Sequence, residues 1–246
     1  MIFAALTDKG NVREKNEDSY YVSQIDNTKL FIVADGMGGH KGGEIASKSA
    51  INAIADYFKK YYVKWPKDNN SIKEFIKNAM KFANKEVYNK ACSDCDLNGM
   101  GTTLTLLVIE SGYYFIGHIG DSRAYLIRNN TIKQLTEDHS FVEELVKMGK
   151  ITEEEARVHP QKNIITRALG IDEDIDIDVI SDKIFIDDII FLCSDGLTNM
   201  LTDEQILSEF SKNINLETIC QNLIDAAKLN GGYDNITIVA FKEVAS

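Results

Sequence analysis

Three aspartates in this chain stand at the ends of apolar runs, and two more lie in turn-like segments. Leu30–Ala34 leads directly into Asp35-Gly36-Met37-Gly38-Gly39-His40, and Ile189–Cys193 leads into Ser194-Asp195-Gly196. Asp234 follows Gly231-Gly232-Tyr233 and opens the apolar run Ile236–Phe241. Asp18 closes the segment Arg13-Glu14-Lys15-Asn16-Glu17-Asp18, and Asp121 lies in Gly120-Asp121-Ser122-Arg123 between two strand-like stretches. A short apolar run bounded by glycine and turn residues reads as a buried strand, so each carboxylate sits where the chain emerges from a core. Carboxylates gathered at one edge of a sheet are hard oxygen donors of the kind that Mg2+ and Mn2+ take. For any single Asp-Gly pair an ordinary turn is the competing account. Three carboxylates tied in the same way to apolar strands favour the ligand reading.

The elements that must position them follow from periodicity. IFAALT, SYYVSQ and KLFIVA read as strands. Residues 42–62 carry apolar side chains at 45, 51, 54, 58, 61 and 62, and residues 71–91 carry them at 72, 75, 76, 79, 83 and 87, which predicts two adjacent amphipathic helices. TTLTLLVIE, GYYFIGHIG, AYLIRNN and TIKQL are predicted hairpin strands, with Glu110-Ser111-Gly112 and Asn129-Asn130 as turns. IFIDDIIFLC is predicted to be a strand pair, LETICQNLIDAAKLNGG a helix and NITIVAFKE a closing strand. Runs of strands and runs of helices, rather than strict alternation, give an α+β fold. Residues 138–170 are helix-like but charged and broken by Pro160, as a surface insertion would be. No repeat or linker divides the 246 residues, so one domain over 1–246 is expected.

Composition removes several function classes. The chain has a net charge of −11, which disfavours a grip on nucleic acid or an anionic membrane. No segment approaches the apolar length of a membrane span, and Asp8 arrives too early for a signal peptide, so a cytoplasmic protein is expected. Cys193 and Cys220 are expected in the core, and Cys92-Ser93-Asp94-Cys95 lacks a second pair or a histidine at zinc spacing. A cysteine phosphatase needs Cys-x5-Arg, whereas the sixth residues after the four cysteines are Asn98, Gly101, Asn199 and Ala226. The acidic run IDEDIDIDVI fails as an EF-hand, with Ile177 where glycine is needed and Lys183 where glutamate is needed. It reads instead as a half-buried strand with Asp outside and Ile or Val inside.

Taken in order, the motifs resemble those of the type 2C (PPM family) metal-dependent protein serine/threonine phosphatases. They are RxxNED at 13–18, DGMGGH at 35–40, GExAS at 43–47, MGTT at 100–103, GDSR at 120–123, the segment 139–170, SDGLTNML at 194–201 and DNIT at 234–237. The spacing is that of compact bacterial members. The resemblance implies a β-sandwich of two mostly antiparallel sheets flanked by pairs of antiparallel helices, α-β-β-α, with a metal site at one end. It implies two Mn2+ or Mg2+ ions on Asp18, Asp35, Asp195, Asp234 and the Gly36 carbonyl, and a third, weaker metal on Asp121 with Asp195. A turn or capping role competes for Asp121. The reaction implied is hydrolysis of phosphoserine and phosphothreonine by a metal-bridging hydroxide, without a side-chain nucleophile.

Within that resemblance Arg13 is expected to clamp phosphoryl oxygens with its planar fork, in competition with an ion pair to Glu14 or Glu17. His40 is expected to protonate the leaving oxygen, its ordinary pKa near 6.5 suiting a general acid. Gly38 and Gly39 would let the loop fold closely around the centre. Residues 138–170 correspond to the family's flap. Phosphorylated Ser/Thr proteins are the implied partners, among them a cognate Ser/Thr kinase, and a monomer is expected. A non-catalytic pseudophosphatase of the same fold is the alternative, and it would lack a metal carboxylate or the arginine. A calcineurin-like enzyme would need histidine-rich ligation, of which GDSR is only a partial echo.

Overall fold

A computed structural model of the chain describes residues 2–25, 28–38, 42–212 and 214–245. In chain order the elements are β1 (Ile2–Asp8), β2 (Ser19–Ile25), β3 (Thr28–Ala34), the short β4 (Gly36–Met37), α1 (Gly42–Tyr61), α2 (Asn69–Ser93), the short β5 (Gly101–Thr102), β6 (Leu104–Glu110), β7 (Tyr113–Ile119), β8 (Arg123–Arg128) and β9 (Thr131–Gln134). There follow α3 (Phe141–Lys147), α4 (Glu153–Val158), β10 (Asp178–Lys183), β11 (Ile189–Cys193), α5 (Asp195–Thr198), α6 (Asp203–Phe210), α7 (Leu216–Leu229) and β12 (Ile236–Lys242).

Ten strands make two five-stranded antiparallel sheets, ordered β1-β12-β11-β8-β9 and β10-β7-β6-β3-β2. The α1/α2 pair buries Ala46, Ala50, Ile54, Phe58, Phe75, Ile76 and Met80 against the second sheet. The α6/α7 layer buries Ile206, Phe210, Ile219, Leu223 and Ala227 against the first. The predicted α+β sandwich with helices on both outer faces is therefore what the chain forms. Ser111 and Gly112, and Asn129 and Asn130, all have φ between 51° and 79°, the left-handed pair that a two-residue hairpin turn demands. Cys193 and Cys220 lie in the core, and Cys92 and Cys95 are exposed free thiols.

Four local readings change. The apolar spacing on α1 placed Ile45 and Tyr61 on its packed face, but alanines take that face: Ala46 and Ala50 are fully buried, whereas Ile45 is half-buried and Tyr61 exposed. Small residues let α1 lie close to the sheet, and a count of large side chains overlooks them. The strand predicted over 171–180 starts only at Asp178, as β10, and of the strand pair predicted over 184–193 only the second member forms, β11 in the other sheet, after a turn through Asp187 (φ 69°). Helix α6, which the spacing passed over, is set by a capping box in which Thr202 and Gln205 satisfy each other's backbone N–H.

The layer between the sheets explains where the aspartates go. Phe31 and Val33, Leu107 and Ile109, Tyr114 and Ile116, Ala124 and Leu126, Ile190 and Leu192, and Val239 and Phe241 point into it from six strands. Side chains of a strand alternate with period two. Continuing each series toward the same end gives Asp35, Thr105, His118, Ser122, Ser194 and Thr237, and the series through Val22 on β2 gives Asp18. One end of an otherwise apolar layer is thus polar.

Candidate active site

The strand registers bring that end together. Val33 pairs with Thr105, Leu104 with Ile119, Arg123 with Cys193, Cys193 with Ile238 and Ile236 with Asp8. Asp18 before β2, Asp35 after β3, Asp121 between β7 and β8, Asp195 after β11 and Asp234 before β12 consequently share one end of the sandwich.

Asp18 is almost fully buried. Its Oδ2 accepts hydrogen bonds from Ser194 Oγ at 2.7 Å and Thr237 Oγ1 at 2.6 Å, while its Oδ1 has no partner. Asp121 is buried with Oδ1 unpartnered, and Asp195 has a buried, unpartnered Oδ1 while Asn199 Nδ2 donates to its Oδ2 at 2.8 Å. A buried oxygen without a donor is costly, and a centre holding three of them is built for a positive guest. Burial pushes the Asp18 carboxyl up to about 7, against the pull of the Thr237 and Ser194 hydroxyls, and the neighbouring Asp195 and Asp234 push further. Burial raises Asp195 to about 6, helped by Asp234 and opposed by Arg123. Asp35 lies well above the carboxylate range through burial and the charges of Asp18, Asp195, Asp121 and Asp234. Asp121 does so through burial and Asp195.

The donors fit hard divalent ions. Among the described residues no group of three or more His, Cys, Asp or Glu side chains closes into a cage by itself. The orphaned oxygens weigh more, because Mg2+-like ions use one or two carboxylates and keep several waters. The Gly36 carbonyl lies against the first turn of α1, where a Cβ on Gly43 would stand 2.7 Å from it. Gly38 has φ 135°, as a closely folded loop requires, and a Cβ there would meet the Met100 backbone at 2.9 Å.

Arg13 pairs with neither Glu14 nor Glu17. Its Nη2 donates to Asp234 Oδ2 at 2.7 Å, and the guanidinium is half-exposed at the edge of the centre. Arg13 is thus brought to the aspartates. His40 and Gly39 lie outside the described residues.

A shell of polar side chains that spacing did not single out holds these groups. Thr103 Oγ1 accepts from Asp35 N at 2.9 Å, and Thr102 Oγ1 donates to Asp35 O at 2.8 Å. Asn235 accepts from Glu17 N at 2.8 Å and donates to Lys9 O and Lys15 O at 3.0 and 2.9 Å, tying the Arg13 loop to Asp234. Arg123 forks onto Asp138 through Nε and Nη2 at 2.8–3.0 Å. Extending the period-two series would have found Ser194 and Thr237; for Asn235 and Arg123 only the fold supplies the reason. Beside Asp121 and Asp195 a cleft of about 410 Å3 opens under residues 140–163, lined on the far side by Glu143, Arg157 and Lys162.

A family model described as protein phosphatase 2C matches residues 11–225. The serine/threonine phosphatase Stp of Listeria monocytogenes is 39% identical over 234 residues, which cover 95% of this chain and 92% of that protein. The Streptococcus agalactiae serine/threonine phosphatase structure superposes with a TM-score of 0.92 at 35% identity, covering 99% of each chain. The catalytic domain of the serine/threonine protein phosphatase PstP, in complex with two manganese ions, superposes with a TM-score of 0.86 at 34% identity, covering 99% of this chain and 98% of that one.

Proposed function

The chain belongs to the protein phosphatase 2C family, and on that premise we propose how its aspartate-rich end removes phosphate from phosphoserine and phosphothreonine in proteins. It is a metal-dependent protein serine/threonine phosphatase. Asp18, Asp35, Asp195, Asp234 and the Gly36 carbonyl would hold two Mn2+ or Mg2+ ions, and Asp121 with Asp195 a third, weaker one. Bound ions supply Lewis acidity, which acidifies water and offsets phosphoryl charge. The single observation carrying this reading is the set of unpartnered buried oxygens on Asp18, Asp121 and Asp195.

The protein's own groups do the rest. Arg13, half-exposed and already beside the centre, exchanges its bond to Asp234 for phosphoryl oxygens and orients the ester for in-line attack. His40 delivers the proton that the departing serine or threonine oxygen needs. The Ser194 and Thr237 hydroxyls hold Asp18 in one direction. The cleft under residues 138–170 takes the polypeptide flanking the phosphate, with that segment acting as a flap of a single domain. Its substrates would include a cognate Ser/Thr kinase, in the cytoplasm, with the enzyme acting as a monomer. Among the described residues no helix is long and apolar enough to cross a membrane. Every carboxylate and the arginine whose loss would mark a pseudophosphatase is present.

The test is hydrolysis of p-nitrophenyl phosphate and of a phosphothreonine peptide with Mn2+, with Mg2+ and with EDTA. Turnover with metal that EDTA abolishes is expected. Full turnover in excess chelator would overturn the metal centre.

A further inference from the structure

We propose that His139 is a positioning residue that fixes the Gly120–Asp121 turn and couples it to the base of the 139–170 segment. The inference rests on the metal-centre reading above, since Asp121 is the group positioned. Asp121 Oδ1 is buried without a hydrogen-bond partner, so no donor anchors that oxygen and the place of the carboxylate rests on the main chain that carries it. That main chain is gripped from one side by one residue. His139 N donates to Gly120 O at 2.8 Å, and Gly120 N donates to His139 Nδ1 at 3.1 Å. From the other side, a Cβ on Gly120, whose φ is 110°, would stand 2.6 Å from the Thr103 side chain, so the turn has no slack there.

The imidazole is itself held. Because Nδ1 accepts, the ring proton lies on Nε2, which donates to Asp178 Oδ2 at 3.0 Å, and Arg167 Nη1 approaches Asp178 Oδ1 at 3.5 Å. The His139 side chain is 1% exposed. Thr166 N donates to His139 O at 2.8 Å and Phe141 N to Ile164 O at 2.9 Å, so both ends of the segment meet at His139. One residue therefore joins the strand β10, the two ends of the segment and the turn bearing Asp121. Groups that orient a metal ligand typically govern 10- to 100-fold in metal affinity, and His139 acts on Asp121 through the main chain of Gly120.

The experiment titrates Mn2+ into the full chain by calorimetry and follows exchange of the Gly120 amide hydrogen, for wild type, His139→Leu, His139→Asn and Asp178→Ala. His139→Leu is expected to unprotect the Gly120 amide and to weaken the weakest Mn2+ step by roughly 10- to 100-fold. His139→Asn, whose Oδ1 stands near the lost Nδ1, is expected to restore both to within a few-fold. Asp178→Ala, on a half-exposed edge-strand position, is expected to fall between them. Wild-type Mn2+ uptake in a folded His139→Leu, or equal impairment of the Leu and Asn variants, overturns the inference. Where His139→Leu does not fold, unchanged uptake in Asp178→Ala overturns it. A wild-type chain that takes up no Mn2+ overturns the metal-centre reading and this inference with it.

Discussion

His118 lets one titration be read in folding stability. Its ring is buried, with Nε2 3.0 Å from the Glu137 carbonyl and Nδ1 3.0 Å from Thr105 Oγ1, and the His139 ring lies 4.7 Å away, centroid to centroid. Burial, and then the neighbouring His139, depress its pKa from 6.5 to about 3. In acid the unfolded chain takes a proton there that the folded chain refuses. The stability involved is fully present above pH 6.5 and is lost as pH falls toward 3. At about 1.4 kcal/mol per pH unit, the loss between pH 7 and pH 5 comes to about 2 kcal/mol. Any folded value below about 4 gives the same result, because at pH 5 the folded ring is then still neutral. Other groups titrate in this window, so the quantity to measure is a difference. Urea unfolding of wild type and His118→Gln at both pH values, with saturating Mn2+, should show the wild-type advantage shrinking by about 2 kcal/mol on acidification. A constant difference would mean that His118 titrates alike in both states, and the reasoning from its burial would fail.

Three further outcomes are expected. Asp35→Asn and Asp234→Asn should each lower turnover by orders of magnitude with an unchanged circular dichroism spectrum, since both sit at the rim of the sandwich and support no apolar packing. Arg13→Ala should mainly raise KM, whereas His40→Ala should cost on the order of 10²-fold on a phosphothreonine peptide and much less on p-nitrophenyl phosphate, whose phenolate leaves unaided; equal losses on both substrates would remove His40 as the acid. Asn235→Ala deletes three hydrogen bonds at a site 5% exposed. It should cost about 2–3 kcal/mol, a drop in Tm on the order of 5–10 °C in calorimetry.

Much of the fold was legible because strand residues announce themselves twice, by alternation and by the turn chemistry at their ends. Ser111-Gly112 and Asn129-Asn130 fixed two hairpins, and the apolar runs before Asp35 and Asp195 fixed the strands that carry them. The α1 face was misjudged because alanine carries little signal in a periodicity count although it packs where a helix must come close. The stretch 171–177 misled because alternating Asp and Ile satisfy a strand pattern whether or not a neighbouring strand is free to pair with them. The aspartates were legible as strand-end and turn residues, and Ser194 and Thr237 follow from extending the alternation, but the remaining supports were not. His139 and Asn235 fall within quoted motifs, but no spacing gives their roles: each acts on backbone atoms that the fold brings to it from far along the chain, Gly120 in one case and Lys9, Lys15 and Glu17 in the other.

Thr237 and Ser194 reach Asp18 only because β12 and β11 hold a particular phase against β1 and against each other. Moving β12 by one residue would point Ile236 or Ile238 at the carboxylate, and the hydroxyl would turn outward toward α7. A copy of the centre transplanted onto another scaffold as a set of five aspartates would carry the carboxylates and leave behind what aims them. The smallest transferable unit is the end of the sandwich, with enough of each strand to keep the alternation that passes from Phe241 through Val239 to Thr237 in two steps.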